Sequence, residues 1–324
     1  MKLHPILLAL GVLVVGNCQS PNSSKTTDLS AEEQQKLDEY KAELEIGRNM
    51  AGRLLQFYGV YEDTNLINYV NQVGLYVSKF GEDPNRRYMF EILDTENVNA
   101  FACPGGYILV TLGAIKHARN EAQLAHVLGH EVTHVAKKHM FETLKTMSKE
   151  EMNKVAEEAE KAHANLSEAE TARQRPDPET SELGSLVARY LSGSAAGLSI
   201  IQAAKAGMSL ILEKGLDAKL EFEADKFGVD SAIKAGYEPA ALIDFLCRIK
   251  EGNKKGRCIL TETAKKSDSI LDKTHPPIPE RIKAIKLVLK DAEAKNIVGA
   301  KGTARFKKYL EPVFKKHGQT LETE

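Results

Sequence analysis

The chain predicts a mainly helical α+β fold, and three observations carry that expectation. Apolar residues recur at helical spacing over most of its length, while two short β-forming runs, "RYMFEILDT" and "YILVTLG", lie together between residues 87 and 113. No internal repeat divides it. At 324 residues, 42% hydrophobic and 27% charged, it has the balance of an ordinary globular protein and can bury a sizeable core. Its 44 basic and 45 acidic residues give a net charge of -1, which leaves no basic footprint for nucleic acid and excludes that partner class. The basic "RFKKYLEPVFKKH" near the end reads as a solvated helix face.

The elements follow in order. Lys2 precedes an apolar run from Ile6 to Val15, too short to span a bilayer and suited to a secretory leader over 1–17. Cys18 just past it resembles a bacterial lipobox. That resemblance implies an exported lipoprotein of the periplasm or outer membrane, lipid-anchored through Cys18, with polar residues 18–28 as a flexible tether. A helix from Leu29 to Tyr58 opens on Ser30 and stops at Gly59, and a second covers "NLINYVNQVGLYVSKFG". Two or three strands follow, with "ENVNAFACPGG" between the β-forming runs.

Asn120 then opens a helix through "NEAQLAHVLGHEVTHVAKKHMFETLKTM". Residues 148–183 are a polar, Glu- and Lys-rich insertion. The small-residue apolar stretch beyond it is interrupted by Arg189 and Lys205, which favours close helix packing over a membrane span. "LDAKLEFEADKFGVDSAIKAG" is a helix ended by Gly236, followed by helices in "EPAALIDFLCRIK" and "PERIKAIKLVLKDAEAK". The domain is expected over 29–295, with 296–324 as a charged C-terminal tail. Cys247 and Cys258 are positioned to pair in an exported protein, Cys103 is left over, and no cysteine has zinc-finger spacing.

The chemistry gathers in "LGHEVTHVAKKH". His130 and His134, four residues apart, share a helix face and can bind one metal ion, with Glu131 beside them as proton acceptor. Glu131 sits about 100° from His130 around a helix, within reach of a water without being a ligand. His139, nine residues on, falls opposite His130 on a continuous helix and reads as scaffold; His126 reads as cleft-lining or core. For the third ligand, Glu157, Glu158 and Glu160 lack an apolar face. Glu221 sits on an amphipathic helix, with Asp225 one turn on to accept a hydrogen bond from a ligand histidine.

Four stretches in order, "VNAFACPGGYILVTLGAI", "LAHVLGHEVTHVAKKH", "EFEADKFG" and "THPPIPERI", resemble the HtpX-like and CAAX-prenyl-protease-like zinc metallopeptidases, family forty-eight, and within it the soluble BepA-like and LoiP-like periplasmic branch. The resemblance implies a gluzincin-like fold with a small sheet beside the active-site helix, and one Zn2+ held by His130, His134 and Glu221. It implies Glu131 as the catalytic base and Asp225 behind the ligands. It also implies a substrate edge strand at Asn99, Ala100, Phe101 and Ala102, shaped by the Gly105–Gly106 turn. His275 and Arg281 are expected near the metal: Arg281 as an oxyanion donor, His275 as a second such donor or as a plug that keeps the enzyme latent. The implied activity is endopeptidase cleavage of misfolded or unassembled envelope polypeptides. The other class in view is a latent, chaperone-like metal-binding factor.

Overall fold

The structure is a computed structural model that describes residues 29–147, 151, 154, 200–251 and 274–323. The leader, Cys18 and its tether, nearly all of the insertion 148–183, and Cys258 lie outside these residues.

Helix α1 (Ala31–Tyr58) starts where Ser30 and Glu33 cap each other: the Glu33 N–H donates to Ser30 Oγ at 3.3 Å and the Ser30 N–H to Glu33 Oε2 at 2.9 Å. It ends at Gly59, whose φ of 77° suits glycine. Helix α2 (Thr64–Ser78) is capped by Asp63. Three short strands follow, β1 (Met89–Leu93), β2 (Ala100–Cys103) and β3 (Tyr107–Thr111), in the order β1-β3-β2. β1 runs parallel to β3, with Met89 opposite Tyr107, and β2 antiparallel to it, with Ala100 opposite Val110. β2 is therefore an edge of this sheet.

The sheet separates two apolar layers by simple alternation. Ile92, Ala100, Ala102, Ile108 and Val110 face one core, while Leu93, Phe101, Cys103 and Leu109 face the other. That second core is filled by α1, α5 (His139–Thr146) and α6 (Ile200–Ser209), which runs into a π-helical turn at Leu210–Lys214. Into the first core pack α2, α3 (Leu112–His117), α4 (Glu121–Ala136), α7 (Ala218–Lys234), α8 (Ala241–Glu251) and α9 (Ile278–Ala294). The mainly helical α+β expectation holds, with its sheet beside the helix that carries His130.

The C-terminal segment departs from expectation. Residues Thr303–Lys316 form α10, whose Phe306, Leu310, Val313 and Phe314 are buried in the first core. The lysines that suggested a charged tail occupy the outer face, and the apolar residues between them repeat at helical spacing and seal the inner one. The folded unit therefore continues past residue 295. Among the described residues no helix is long and apolar enough to cross a membrane.

Candidate metal centre

Two helices build the centre by crossing at glycines. A Cβ on Gly129 of α4 would lie 2.8 Å from the Gly228 carbonyl oxygen, and one on Gly228 of α7 would lie 2.6 Å from the His130 nitrogen. Only backbone fits between the helices at that point, so the polar side chains of α7 reach the histidine face of α4 directly. His130, Glu131, His134, Glu221 and Asp225 are all buried.

His130 Nε2 and His134 Nε2 lie 3.1 Å apart. Glu221 Oε2 is 3.5 Å from His130 Nε2, and Glu221 Oε1 is 3.5 Å from His134 Nε2. His275 Nε2 is 3.4 Å from Glu221 Oε2, so the donor atoms of His130, Glu221 and His275 fall within 4.8 Å of one another. Each remaining ring nitrogen is taken. His130 Nδ1 donates to Asp225 Oδ1 at 3.0 Å, His134 Nδ1 faces His139 Nδ1 at 3.0 Å, and His275 Nδ1 is 3.0 Å from Thr274 Oγ1. The Nε2 lone pairs are thus turned on a common point. Glu221 Oε2 is buried there with no hydrogen-bond partner.

These residues fit a cation. Two imidazole nitrogens 3.1 Å apart and a carboxylate 3.5 Å from each offer their lone pairs to one ion, and an isolated buried carboxylate is costly. Ligand atoms bound at about 2.1 Å in a tetrahedron sit about 3.4 Å apart, which is the spacing seen here. Electrostatics agree. Burial opposes charge on His130, yet its bond to Asp225 and the nearby Glu221 raise it to about 9, so the spot attracts positive charge. Burial holds His134 well below its ordinary value and lowers His275 to about 4, keeping both as neutral donors. Against its own burial, Glu221 is held well below the carboxylate range by His275, His134 and His130.

Glu131 lies beside this cluster, in the lining of the same cavity. Burial pushes its carboxyl up to about 7, with His130 pulling the other way. It lines a cavity with Asn99, Ala100, His130, His275 and Arg281. Asn99 is fixed by Thr111, whose Oγ1 accepts from the Asn99 N–H at 3.0 Å and donates to the Asn99 carbonyl at 2.8 Å. Its amide Nδ2 is buried and has no partner.

Several expected roles change. Arg281 donates from Nε to Asp225 Oδ2 at 2.9 Å and from a terminal nitrogen to Oδ1 at 2.6 Å. A guanidinium held in that fork fixes Asp225, and through it His130, and it also lines the cavity beside Glu131. Gly105 and Gly106 do not shape a substrate groove. Gly105 (φ 78°) packs on Leu44 and donates its N–H to the buried Glu43 at 3.0 Å, while a Cβ on Gly106 would meet the Arg87 carbonyl oxygen at 2.0 Å. Phe101 turns into the second core and stacks on Tyr58 at 6.0 Å, so only its backbone belongs to the edge. His126 is core: fully buried, with Nε2 donating to the Glu238 carbonyl at 2.9 Å.

His139, read as scaffold, is the partner of His134, and its far nitrogen lies 3.3 Å from Glu223. The helix does not continue to it: Lys138 adopts φ 55° and a new helix begins at His139. The "KK" after the second histidine gives no sign of that break. Glu223 itself is partly exposed and pairs with Lys137 at 3.1 Å as well as facing His139. Cys247 is disulfide-bonded, and its expected partner Cys258 lies outside the described residues. Cys103 is a free, buried thiol in the second core.

Comparison with known sequences adds the family. The profile of peptidase family M48 matches residues 66–288, more than half of the chain. The chain belongs to peptidase family M48. In this M48 chain the matched region spans α2 through most of α9 and contains the whole histidine cluster; α1 and α10 lie outside it. The sequence is 24% identical over 209 residues to the beta-barrel assembly-enhancing protease of Escherichia coli K12, 63% of this chain and 37% of that one. It is 28% identical over 192 residues to the Vibrio cholerae counterpart, 59% of this chain and 34% of that one. It is also 44% identical over 45 residues to the mitochondrial metalloendopeptidase OMA1 of Arabidopsis thaliana, 14% of this chain and 9% of that one. The chain thus spans about a third of the length of the beta-barrel assembly-enhancing proteases it matches.

Proposed function

We propose that this M48 metallopeptidase is a zinc-dependent endopeptidase of the bacterial cell envelope that cuts misfolded or unassembled envelope polypeptides. The observation that carries the proposal is the convergence of His130, His134 and Glu221 on one point beside Glu131, next to the strand that is an edge of the sheet among the described residues. Two imidazoles and one carboxylate are a donor set that suits zinc. When bound, the ion supplies a Lewis acid that makes a water more acidic and polarises the scissile carbonyl.

The residues of the chain do the rest. The Glu131 carboxylate takes the proton of the attacking water and returns it to the leaving amine nitrogen, a task suited to a buried acid titrating near neutrality. The β2 strand, an edge among the described residues, pairs with an extended backbone, which suits substrates of varied sequence, and the Asn99 amide donates to a peptide carbonyl. Asp225 and Arg281 fix the ring of His130, and His139 that of His134.

The envelope location rests on the leader-like N-terminus with Cys18 and on the names of the relatives; a lipidated Cys18 keeps the mature protein in the membrane pellet on fractionation. The deciding experiment compares digestion of an unfolded protein by the mature chain and by Glu131→Gln, with zinc content measured on both. Digestion by the native form alone, with about one zinc per chain in each, supports the proposal; equal digestion by both removes it. A second reading is favoured by His275, whose Nε2 lies 3.4 Å from Glu221 Oε2 and joins His130 and Glu221 within the donor cluster, where it could fill a coordination position. It makes the enzyme latent until His275 withdraws. His275→Ala then digests faster than the native chain, whereas a slower variant makes His275 part of the reaction.

A further inference from the structure

The C-terminal part of the chain holds a charge imbalance that the net charge of the whole conceals. Residues 283–316 carry ten basic and three acidic side chains, which leaves 34 basic against 42 acidic elsewhere. On α9 the basic residues form a stripe. Ile282, Ile285 and Leu289 turn into the first core. Lys283, Lys286 and Lys290, spaced i, i+3 and i+7, stand exposed on the opposite face with Leu287 among them. Among the described residues none of these three lysines meets an acid, whereas Lys116, Lys137, Lys138 and Lys234 are all paired.

The chain then passes through Lys295 and Ile297 to Val298 and on to α10, whose outer face carries Lys307, Lys308 and Lys315. Leu287, 59% exposed, and Val298, 93% exposed, are the two most exposed large apolar side chains among the described residues, and both lie in this basic segment. Val298 is held out by a fixed turn. The Ile297 N–H donates to the Ala292 carbonyl at 3.0 Å and the Ala300 N–H to the Gly236 carbonyl at 2.8 Å. Between them a Cβ on Gly299 would meet the Tyr237 carbonyl oxygen at 2.1 Å.

Lysines around exposed aliphatic groups suit the headgroup region of an anionic bilayer, which takes ammonium groups at its phosphates and aliphatic tips just beneath them. Nucleic acid would match the charge but would set Leu287 and Val298 against sugar and phosphate, where they gain nothing. The leader-like run Ile6–Val15 fits the same address, since a leader of that kind directs a chain to a membrane.

We propose that the outer face of α9 and the Ile297–Val298 turn dock this protein on an anionic phospholipid surface. The contact orients the metal centre as well as holding the chain. Two residues before the stripe, Arg281 points inward to Asp225, so α9 joins the docked face to the helices that bear the histidines and Glu221. The inference stands apart from the peptidase reading and from any lipid on Cys18.

Vesicle sedimentation tests it, on the chain made without its leader and with Cys18→Ser, so that no covalent lipid takes part. Vesicles of phosphatidylcholine with about 30% phosphatidylglycerol should bind the protein about tenfold or more tightly than phosphatidylcholine alone, and about 0.5 M salt should remove the difference. Lys286→Gln combined with Lys290→Gln should weaken that binding about thirtyfold, and Val298→Asp about tenfold, with native circular dichroism in both. The chain has no tryptophan, so Val298→Trp supplies a single reporter. Its emission should shift to the blue on the anionic vesicles and be quenched by brominated lipid, while Tyr40→Trp, on α1 in the other layer, should do neither. Equal binding to both kinds of vesicle, no binding, or native affinity in the lysine variant overturns the proposal. So does a Val298→Trp emission that stays that of water, or duplex DNA binding at an affinity that the anionic vesicles do not reach.

Discussion

Glu121 and Glu221 invite comparison. Both lie in the first turn of a helix, α4 and α7 respectively, and both are buried. Glu121 is surrounded by donors: the Tyr69 hydroxyl at 2.9 Å, the Tyr237 hydroxyl at 2.8 Å, and the Arg305 guanidinium on both oxygens. Among the described residues Glu221 faces imidazole nitrogens at 3.4 to 3.5 Å, and its Oε2 has no hydrogen-bond partner there. A buried carboxylate needs either protons offered to it or a cation, and this molecule uses one solution at each end of the α4 system. Burial alone therefore does not mark a functional acid. The identity of the atoms around it does.

The contrast breaks most visibly at Glu221. Glu221→Gln removes the anionic ligand, and kcat/KM should fall about a thousandfold or more, with zinc per chain dropping well below one by atomic emission while circular dichroism stays native. If zinc content held, Glu221 would be an ordinary buried acid and the contrast would be lost.

Glu121→Leu probes the other end. It leaves two tyrosine hydroxyls and one guanidinium without their acceptor and should cost about 3 kcal/mol in urea unfolding, with zinc content unchanged. Loss of zinc at equal stability would mean that the two ends are not separate.

The smallest effect is one of pH, and it sharpens the same point with a base. Burial lowers His126 to about 4, so in the fold it stays neutral at pH values where the unfolded chain, with an ordinary value of 6.5, takes up a proton. The unfolded state then binds more protons, so stability falls as pH drops from about 6.5 towards 4. By pH 5 the loss is about 2 kcal/mol. Denaturant midpoints at pH 7 and pH 5 should differ less in His126→Gln than in the native chain. An equal slope would remove His126 as the cause.

Much of this was legible in the sequence because it depends on short-range geometry. The i, i+4 spacing of His130 and His134 is enough to bring their Nε2 atoms together, and the Glu221-to-Asp225 turn puts both acids on the face of α7 that meets them. Ser30 and Gly59 likewise bound α1 by local chemistry. What escaped depends on long-range packing or on a break in regularity. His139 was assigned by continuing a helix that Lys138 interrupts. The resemblance placed Arg281 near the metal, but its pairing with Asp225 appears only in the fold. Gly129 and Gly228, 99 residues apart in sequence, reveal their shared role only when the helices cross. In α10 the counted lysines masked the apolar residues between them.

The Ala122 N–H in the first turn of α4 donates to the Lys301 carbonyl at 3.0 Å, and Arg305 completes the shell of Glu121. Residues 301 to 305 follow every member of the histidine cluster along the chain. A ribosome delivers His130, Glu131 and His134 before it delivers the segment that helps anchor the start of their helix. The clasp at the start of α4 is thus completed late, after Tyr69 and Tyr237 can already reach Glu121, and a half-delivered chain carries its histidine pair on a helix that still lacks it.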